Sequence, residues 1–227
     1  MAAAREVSVA NRGNRSGTGR RNPVVLDGDD PTAAAIIVAA VGVMAEHGYH
    51  GTSVRDIATA AEVSPAALYH HFGSKHDLLA TILDRGIGLL VRETEEALFH
   101  AGDDPATRLS TIVGVHVLAH IQSQRESFLG NSELRSLSPA TRALVISKRD
   151  TQQRMFDRVI ADGVRRGVFT TPYPTEASRT VVTACTAVAS WYRRDGELTP
   201  REIVGRYQTI ALGTVGYRAE EPEKAAP

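Results

Sequence analysis

The side chains best suited to contact another molecule are concentrated in residues 52–75 of this 227-residue chain. Hydroxyl and cationic groups in this stretch can donate hydrogen bonds to phosphate oxygens, which position a protein on DNA. Two adjacent alanines are small enough to approach base edges and contact thymine methyl groups in the major groove. The candidate DNA-contacting residues are Thr52, Arg55, Ser64, Ala66, Ala67, Tyr69, His70 and Lys75. Their types and spacing predict binding to double-stranded DNA.

Two short helices joined by a tight turn would place these side chains on one face. Either Thr52 or Ser53 caps the first helix, and Asp56 lies in its first turn, where a negative charge is favourable. The turn covers residues 62–64, and the second helix begins at Pro65, because proline is well tolerated at a first helical position. The residues expected to point inward are Val63, Leu68 and Phe72. This pattern predicts a helix-turn-helix whose second helix enters the major groove.

The charge around this motif is mildly acidic. Residues 31–78 contain two Lys or Arg against four Asp or Glu. Upstream, the first 21 residues contain five arginines against the single carboxylate of Glu6. The arginines are Arg5, Arg12, Arg15, Arg20 and Arg21. We therefore hypothesise that this N-terminal arm supplies the positive charge that DNA binding requires, by entering the minor groove.

The rest of the chain predicts an all-α protein with four parts. Residues 1–30 lack apolar periodicity and are expected to stay disordered in the free protein. Residues 31–78 form the three-helix DNA-binding domain, and residues 79–218 form a six-helix regulatory and dimerisation domain, with proline near several helix starts and glycine near several ends. Residues 219–227 are expected to be a flexible tail. The expected helices cover about 31–46, 77–100, 106–125, 127–137, 139–166, 174–194 and 200–218.

Composition excludes several classes of protein. Lys and Arg balance Asp and Glu at 26 each, so the chain as a whole is not a basic nucleic-acid binder. The single cysteine, Cys185, cannot form an internal disulfide, which fits a reducing cytosol. No uninterrupted apolar run reaches the length of a membrane helix, about 18–20 residues, and the N-terminus does not resemble a signal peptide. We therefore expect a cytoplasmic protein without a membrane partner.

The motif residues closely resemble the TetR family of bacterial repressors. The resemblance covers Gly48 to Leu79, including Thr52–Ala58, Leu68–Phe72 and Ser74–Leu79. It implies a homodimer, three DNA-binding helices and a C-terminal helical domain that binds a small inducer. It also implies that the eight candidate residues given above touch DNA. One departure is Glu62, which stands where the family usually has glycine and must adopt a less favourable backbone conformation or alter the turn.

Helix faces and family architecture together suggest where an inducer would bind. The candidate ligand-binding residues are His116, His120, Phe128, Met155, Phe156, Trp191 and Tyr192. The two histidines are four residues apart, a spacing that also suits a metal, but no third ligand is evident. A solvated face or a polar group in a ligand pocket is the favoured interpretation. We predict no metal and no cofactor, and because no nucleophile or phosphate-binding motif is present, no enzymatic activity.

Two C-terminal features extend the family resemblance. Small apolar residues line faces of the helices at 174–194 and 200–218, which form either monomer core or a four-helix dimer interface. Residues 189–200 are similar to members that govern fatty-acid or steroid breakdown and sense acyl-CoA thioesters. The prediction is a repressor that binds a palindromic operator and is released by a lipophilic inducer, for which an acyl-CoA is one candidate. The alternatives are a ligand-independent architectural DNA-binding protein and an enzyme hidden in a helical bundle.

Overall fold

A computed structural model describes residues 22–218, and every regular element in that range is helical. A short 3-10 turn covers Leu134–Ser136, between the sixth and seventh helices. The α-helices are α1 Pro31–Gly51, α2 Val54–Ala60, α3 Pro65–Phe72, α4 Lys75–His100, α5 Pro105–Gln122, α6 Gln124–Ser132, α7 Pro139–Arg165, α8 Pro174–Trp191 and α9 Pro200–Thr214. The all-α prediction is confirmed, and most helices begin within two residues of the expected position.

Side-chain caps explain where the helices begin. Asp30 accepts hydrogen bonds from the amides of Thr32 and Ala33 at the start of α1. Ser53 caps α2 and forms a capping box with Asp56, which settles the choice between Thr52 and Ser53. The largest difference from prediction lies at Ser123, whose backbone is non-helical at φ −114° and ψ 47°. The expected helix over 106–125 therefore ends at residue 122, and α6 begins two residues later.

The hydrophobic core of the described residues consists of two clusters. The first is the core of α1–α3 and the N-terminal half of α4, and it extends to Leu129, Leu137 and Val145. The second joins α5, α8 and α9 to the C-terminal half of α7. Because α4 begins inside the first cluster and continues for 26 residues, it links the DNA-binding domain to the larger domain as one continuous helix.

Residues 22–30 differ from the expectation of a disordered arm. Val24 is fully buried and belongs to the first cluster. Arg85 on α4 donates to the carbonyl of Val24 at 3.2 Å and pairs with Asp29 at 2.6 Å. Local patterns could not reveal this packing, because Arg85 lies about sixty residues further along the chain. The arginine-rich part of the arm, 1–21, lies outside the described residues.

Helix α1 is unusually apolar. Among the described residues it is the one helix whose length and mean hydropathy, 1.4, would suit a membrane span. Helix α1 reaches this mean hydropathy although its uninterrupted run of apolar residues is shorter than a membrane span. Five of its residues are buried in the first cluster, so the same composition serves a helix packed inside a protein domain. These residues are Ile36, Ile37, Ala40, Val41 and Met44.

Candidate DNA-binding surface and ligand cavity

The turn between α2 and α3 ends α2 with paired backbone hydrogen bonds. The amide of Val63 donates to the Ala58 carbonyl at 2.9 Å, and the amide of Glu62 donates to the Thr59 carbonyl at 3.1 Å. This pairing defines a Schellman motif, which places its C′ residue in the left-handed region. Glu62 occupies that position with φ 56°, and among the described residues it is the one non-glycine with positive φ. Of the two expected outcomes, Glu62 therefore adopts the less favourable backbone conformation.

The N-terminal half of α3 forms an exposed surface. Ser64 caps the helix by accepting the Ala67 amide at 3.2 Å, and Leu68 anchors the helix in the core. The side chains of Ser64, Ala66, Tyr69 and His70 are exposed, Tyr69 to 53% of its area. Ala67 is half-buried, and Arg55 is exposed on α2. The structure thus brings six of the eight predicted DNA-contacting residues to the outside of the helix-turn-helix.

The other two predicted residues are engaged within the domain. Thr52 is only 2% exposed, and its hydroxyl donates to the Gly48 carbonyl at 2.8 Å. The Lys75 ammonium donates to the carbonyls of Tyr49 and Thr52 at 2.8 and 2.6 Å. It also lies 4.2 Å from the centre of the Tyr49 ring. Both side chains therefore hold the loop between α1 and α2, and Lys75 is directed at backbone carbonyls rather than outward, because the end of α1 presents carbonyl groups that attract a cation.

A cavity of about 380 Å³ lies in the larger domain, beside the first cluster. The lining residues from α4, together with Pro23 and Val24 of the N-terminal segment, are apolar apart from Glu93. The lining residues from α5, α6, α7 and α8 are mostly polar. The main polar residues that line the cavity are His116, His120, Glu126, Arg149, Gln152 and Thr186. A cavity with one apolar wall and a few convergent polar groups is typical of a small-molecule site.

Two of the seven predicted ligand-binding residues, His116 and His120, line this cavity. Phe156 lies behind them, edge-to-face with His116 at 5.6 Å between ring centres. Met155 and Tyr192 are buried elsewhere in the larger domain. Phe128 and Trp191 are about half exposed, and Trp191 stacks on Tyr207.

Sequence reasoning missed several residues of the cavity wall. Gln152 and Thr186 are hydrogen-bonded to His116 from positions 36 and 70 residues away. Pro23 and Val24 come from the segment expected to be disordered. Polar residues inside otherwise apolar helix faces, such as Gln152 on α7, are the signal that would have pointed to them.

Burial sets the charge of the cavity wall. It lowers the pKa of His116 well below its usual value, helped by His120, and lowers the pKa of His120 as well. It raises the pKa values of Glu93 and Glu126. Both histidines are therefore neutral near pH 7. Within residues 22–218, no group of three His, Cys, Asp or Glu side chains is placed to hold a metal ion.

Family models match both parts of the chain. The model of bacterial regulatory proteins of the tetR family matches residues 36–82, and the tetracyclin repressor-like C-terminal domain matches residues 102–215. The repressor KstR2 of Rhodococcus jostii is 30% identical over 175 residues, covering 76% of this chain and 85% of the relative. The chain belongs to the TetR family. It is thus a DNA-binding transcriptional regulator by family.

Solved structures of TetR regulators share its fold. A tetR-family regulatory protein from Rhodococcus RHA1 is 30% identical, with a TM-score of 0.77 over 84% of this chain and all of that one. AibR, solved with isovaleryl coenzyme A and operator DNA, has a TM-score of 0.73 over 82% of this chain and all of that one. At 22% identity, the AibR match supports the fold alone.

The last two helices show how this TetR regulator uses its small apolar residues. About half of the small apolar residues noted on these faces are buried inside the subunit, so this part of the faces is monomer core. These residues are Val181, Cys185, Val188, Ile203, Ala211 and Val215. Burial also raises the pKa of Cys185 to about 12, which leaves the thiol unreactive. The outward side of α9 carries Gly205, Thr209 and the exposed side chain of Ile210.

Proposed function

We propose that this TetR regulator is a homodimeric repressor that binds a palindromic operator and is released from it by a lipophilic small molecule. The observation that carries the proposal is the path of α4. Its first two turns pack in the core of the DNA-binding domain through Leu78, Leu79 and Ile82. Its middle part lines the cavity through Leu83, Ile87, Leu90 and Glu93. A molecule that changes the position of α4 therefore also changes the position of α3.

DNA contact is assigned to the exposed face of the helix-turn-helix. Tyr69, Ser64 and Arg55 donate to phosphates, and Ala66, Ala67 and His70 face base edges. Thr52 and Lys75 support this surface from within by fixing the chain between α1 and α2. A twofold dimer would place two such faces about one DNA turn or a multiple of it apart, which requires a near-palindromic operator.

The dimer interface is proposed to use the outward sides of α8 and α9. The buried sides of these helices already complete the subunit core, so the outer sides are the ones available to a second subunit. Small residues at Ala187, Gly205 and Gly213 allow two helices to approach closely. Exposed Ile210 supplies apolar area on this surface.

Release from DNA requires that the ligand bind the DNA-free conformation more tightly than the DNA-bound one. Two elements of the cavity wall lead directly to the DNA-binding domain. One is α4, and the other is the segment 22–30, which ends at the first residue of α1. Arg85 joins the two through Asp29 and the Val24 carbonyl. Ligand contact with Val24 would thus act on α1 and α4 together.

The inducer is proposed to be mainly apolar because α4, Pro23 and Val24 give the cavity an apolar side. The AibR structure with isovaleryl coenzyme A makes an acyl-CoA thioester one candidate. Among the described residues, Arg149 is the one Lys or Arg that lines the cavity, beside Glu93, Glu126 and Asp150. These charges do not suit phosphates, so an acyl-CoA would place its acyl chain in the cavity and its nucleotide outside.

Fluorescence anisotropy with DNA from the region upstream of the gene tests the proposal. Tight, salt-sensitive binding is expected, with a loss of at least about tenfold for Tyr69→Ala. Tyr173→Ala is the matched control, because Tyr173 is also highly exposed but lies before α8, away from the helix-turn-helix. Addition of fatty acyl-CoA thioesters or neutral lipids should then displace the DNA. DNA binding that no lipophilic molecule displaces would favour the ligand-independent architectural protein instead.

A further inference from the structure

The polar end of the cavity contains three closely packed side chains. His116 and His120 stack with ring centres 4.5 Å apart and an angle of 12° between the planes. Gln152 approaches from α7, with its Nε2 atom 3.4 Å from Nδ1 of His116. All three line the cavity, and each is at least nine-tenths buried. Their remaining hydrogen-bonding capacity therefore decides which ligand group this end of the cavity can accept.

The orientation of the Gln152 amide follows from its neighbour Thr94. The Thr94 hydroxyl donates its proton to the Leu90 carbonyl at 2.8 Å, so it can only accept from Gln152. Nε2 of Gln152 fills that role at 2.9 Å. The Oε1 atom is then left without a hydrogen-bond partner among the described residues, although it is fully buried. A buried carbonyl oxygen in this situation is energetically disfavoured, and a donor from a ligand or from water would stabilise it.

The proton positions on the two histidines follow in the same way. Nδ1 of His120 lies 2.8 Å from the His116 carbonyl, which can only accept, so the proton is on Nδ1. Because the ring is neutral, Nε2 of His120 is an acceptor, and no hydrogen bond to it occurs within residues 22–218. His116 accepts from Gln152 at Nδ1 and donates from Nε2 to Thr186 at 2.9 Å. His116 thus has no donor to spare.

We propose that the ligand of this cavity carries an uncharged hydrogen-bond donor, a hydroxyl group, on an otherwise apolar body, and that Gln152 and His120 recognise it. The inference deepens the proposed function and rests on it for the role of the ligand as inducer. The buried cluster presents two unused acceptors, Oε1 of Gln152 and Nε2 of His120. A hydroxyl group can donate a hydrogen bond to one of these two acceptors, so that this acceptor no longer lacks a partner. A carboxylate has no proton to donate and would bring only further acceptors.

Calorimetric titration of the full chain without DNA tests the choice of ligand group. The probes are undecanol, its isomer methyl decyl ether and the anion undecanoate, which match in size and differ in donor and charge. Undecanol should bind at least about tenfold more tightly than either other probe, since an unsatisfied buried acceptor disfavours them. Equal affinities for the alcohol and the ether, tighter binding of undecanoate through Arg149, or no binding of any probe would each overturn the inference.

Variants assign the preference to the two side chains. Gln152→Met keeps the length of the side chain and removes the acceptor, and His120→Phe keeps the ring stack and removes Nε2. The variant that removes the acceptor of the hydroxyl proton should reduce the preference for undecanol over methyl decyl ether by at least about fivefold, and the other variant should reduce it less. Gln124→Met is the matched control, because Gln124 donates to two carbonyls outside the cavity and its loss should leave the preference intact. An unchanged preference in both cavity variants would overturn the assignment.

A separate anisotropy measurement keeps this inference distinct from the proposed function. If undecanol binds with the expected preference but saturating amounts leave operator DNA bound, the ligand chemistry stands and the role as inducer fails. If the ether releases DNA as effectively as the alcohol, the regulator function stands and the donor requirement fails.

Discussion

The exposed face of α3 takes its side chains from residues 64–70, whereas the cavity wall takes its side chains from positions as far apart as Pro23 and Thr186. The first surface needs only one short helix with its register fixed by Leu68. The second needs five helices and the N-terminal segment to pack correctly at the same time. Substitutions on the exposed face of α3 should therefore change DNA affinity without changing stability. Substitutions around the cavity should change both.

The largest expected effect comes from adding one methyl group beside the cavity domain's core. A Cβ at Gly163 on α7 would lie 2.1 Å from the ring of Phe169, which is 2% exposed and cannot move aside. Gly163→Ala should therefore lower the free energy of unfolding by about 3 kcal/mol. Urea denaturation measures this change.

The matched substitution in the DNA-binding domain should have the opposite sign. A Cβ at Gly42 on α1 would meet only the mobile end of Arg125, at 3.8 Å. Gly42→Ala should stabilise the protein by roughly 0.5–1 kcal/mol, because alanine is the better helix former. If Gly163→Ala and Gly42→Ala lower the free energy of unfolding equally, the cavity domain is not packed more tightly than the DNA-binding domain.

The second prediction concerns the charge that the α3 surface lacks. Replacing the five arginines among residues 1–21 by glutamine should weaken operator binding by at least about tenfold and reduce the salt slope by about 0.9 for each phosphate that an arginine no longer neutralises. Replacement by lysine is the control and should retain most of the affinity. Anisotropy titrations at several salt concentrations measure both quantities. Unchanged affinity in the glutamine variant would rule out a DNA-binding role for the arm.

The same contrast explains how far the sequence predicted the structure. The cap of α2, predicted at Thr52 or Ser53, is a local signal, and the structure forms it at Ser53. The outward direction of Tyr69 follows from the inward direction of Leu68 in the same helix. Such features depend on residues only a few positions apart, so periodicity and capping rules are sufficient to find them.

Features that depend on distant packing were not predictable in this way. The sequence predicts that Lys75 faces phosphates. In the structure, its ammonium group instead donates hydrogen bonds to the carbonyls of Tyr49 and Thr52, at the end of α1. Trp191 and Phe128 were expected to line a ligand pocket, yet the bundle leaves them half exposed, because helix periodicity does not say which neighbour covers a face. The roles of Gln152 and Val24 in the cavity depend on partners more than thirty residues away.

The third prediction uses the buried histidines to probe the cavity domain alone. Unfolded histidine titrates near pH 6.5, and burial lowers the pKa values of His116 and His120 in the folded state. Below pH 6.5 the unfolded chain therefore binds protons that the folded chain excludes. Stability should fall as the pH drops from 7.5 to 5.5, by up to about 1.4 kcal/mol per pH unit for each histidine.

A variant isolates this effect from that of the buried carboxyl groups. Glu93 and Glu126 have raised pKa values, so they gain protons on folding and stabilise the protein as the pH falls towards their ordinary range. The comparison is therefore made between wild type and His120→Phe, whose loss of stability with falling pH should be smaller. His100→Phe, at an exposed position, is the control. Parallel curves for wild type and His120→Phe would show that His120 titrates normally.

The smallest expected effect lies in the turn that positions α3. Glu62 holds a left-handed conformation, φ 56°, which costs a residue with a side chain roughly 1–2 kcal/mol. Glu62→Gly removes that cost but adds entropy to the unfolded chain, so a net gain of about 0.5–1 kcal/mol is expected. Glu62→Ala removes the same charge and keeps the strain, so it should bind operator as tightly as Glu62→Gly while remaining less stable. Equal stability of the two variants would mean that the charge of Glu62, and not its backbone, limits this turn.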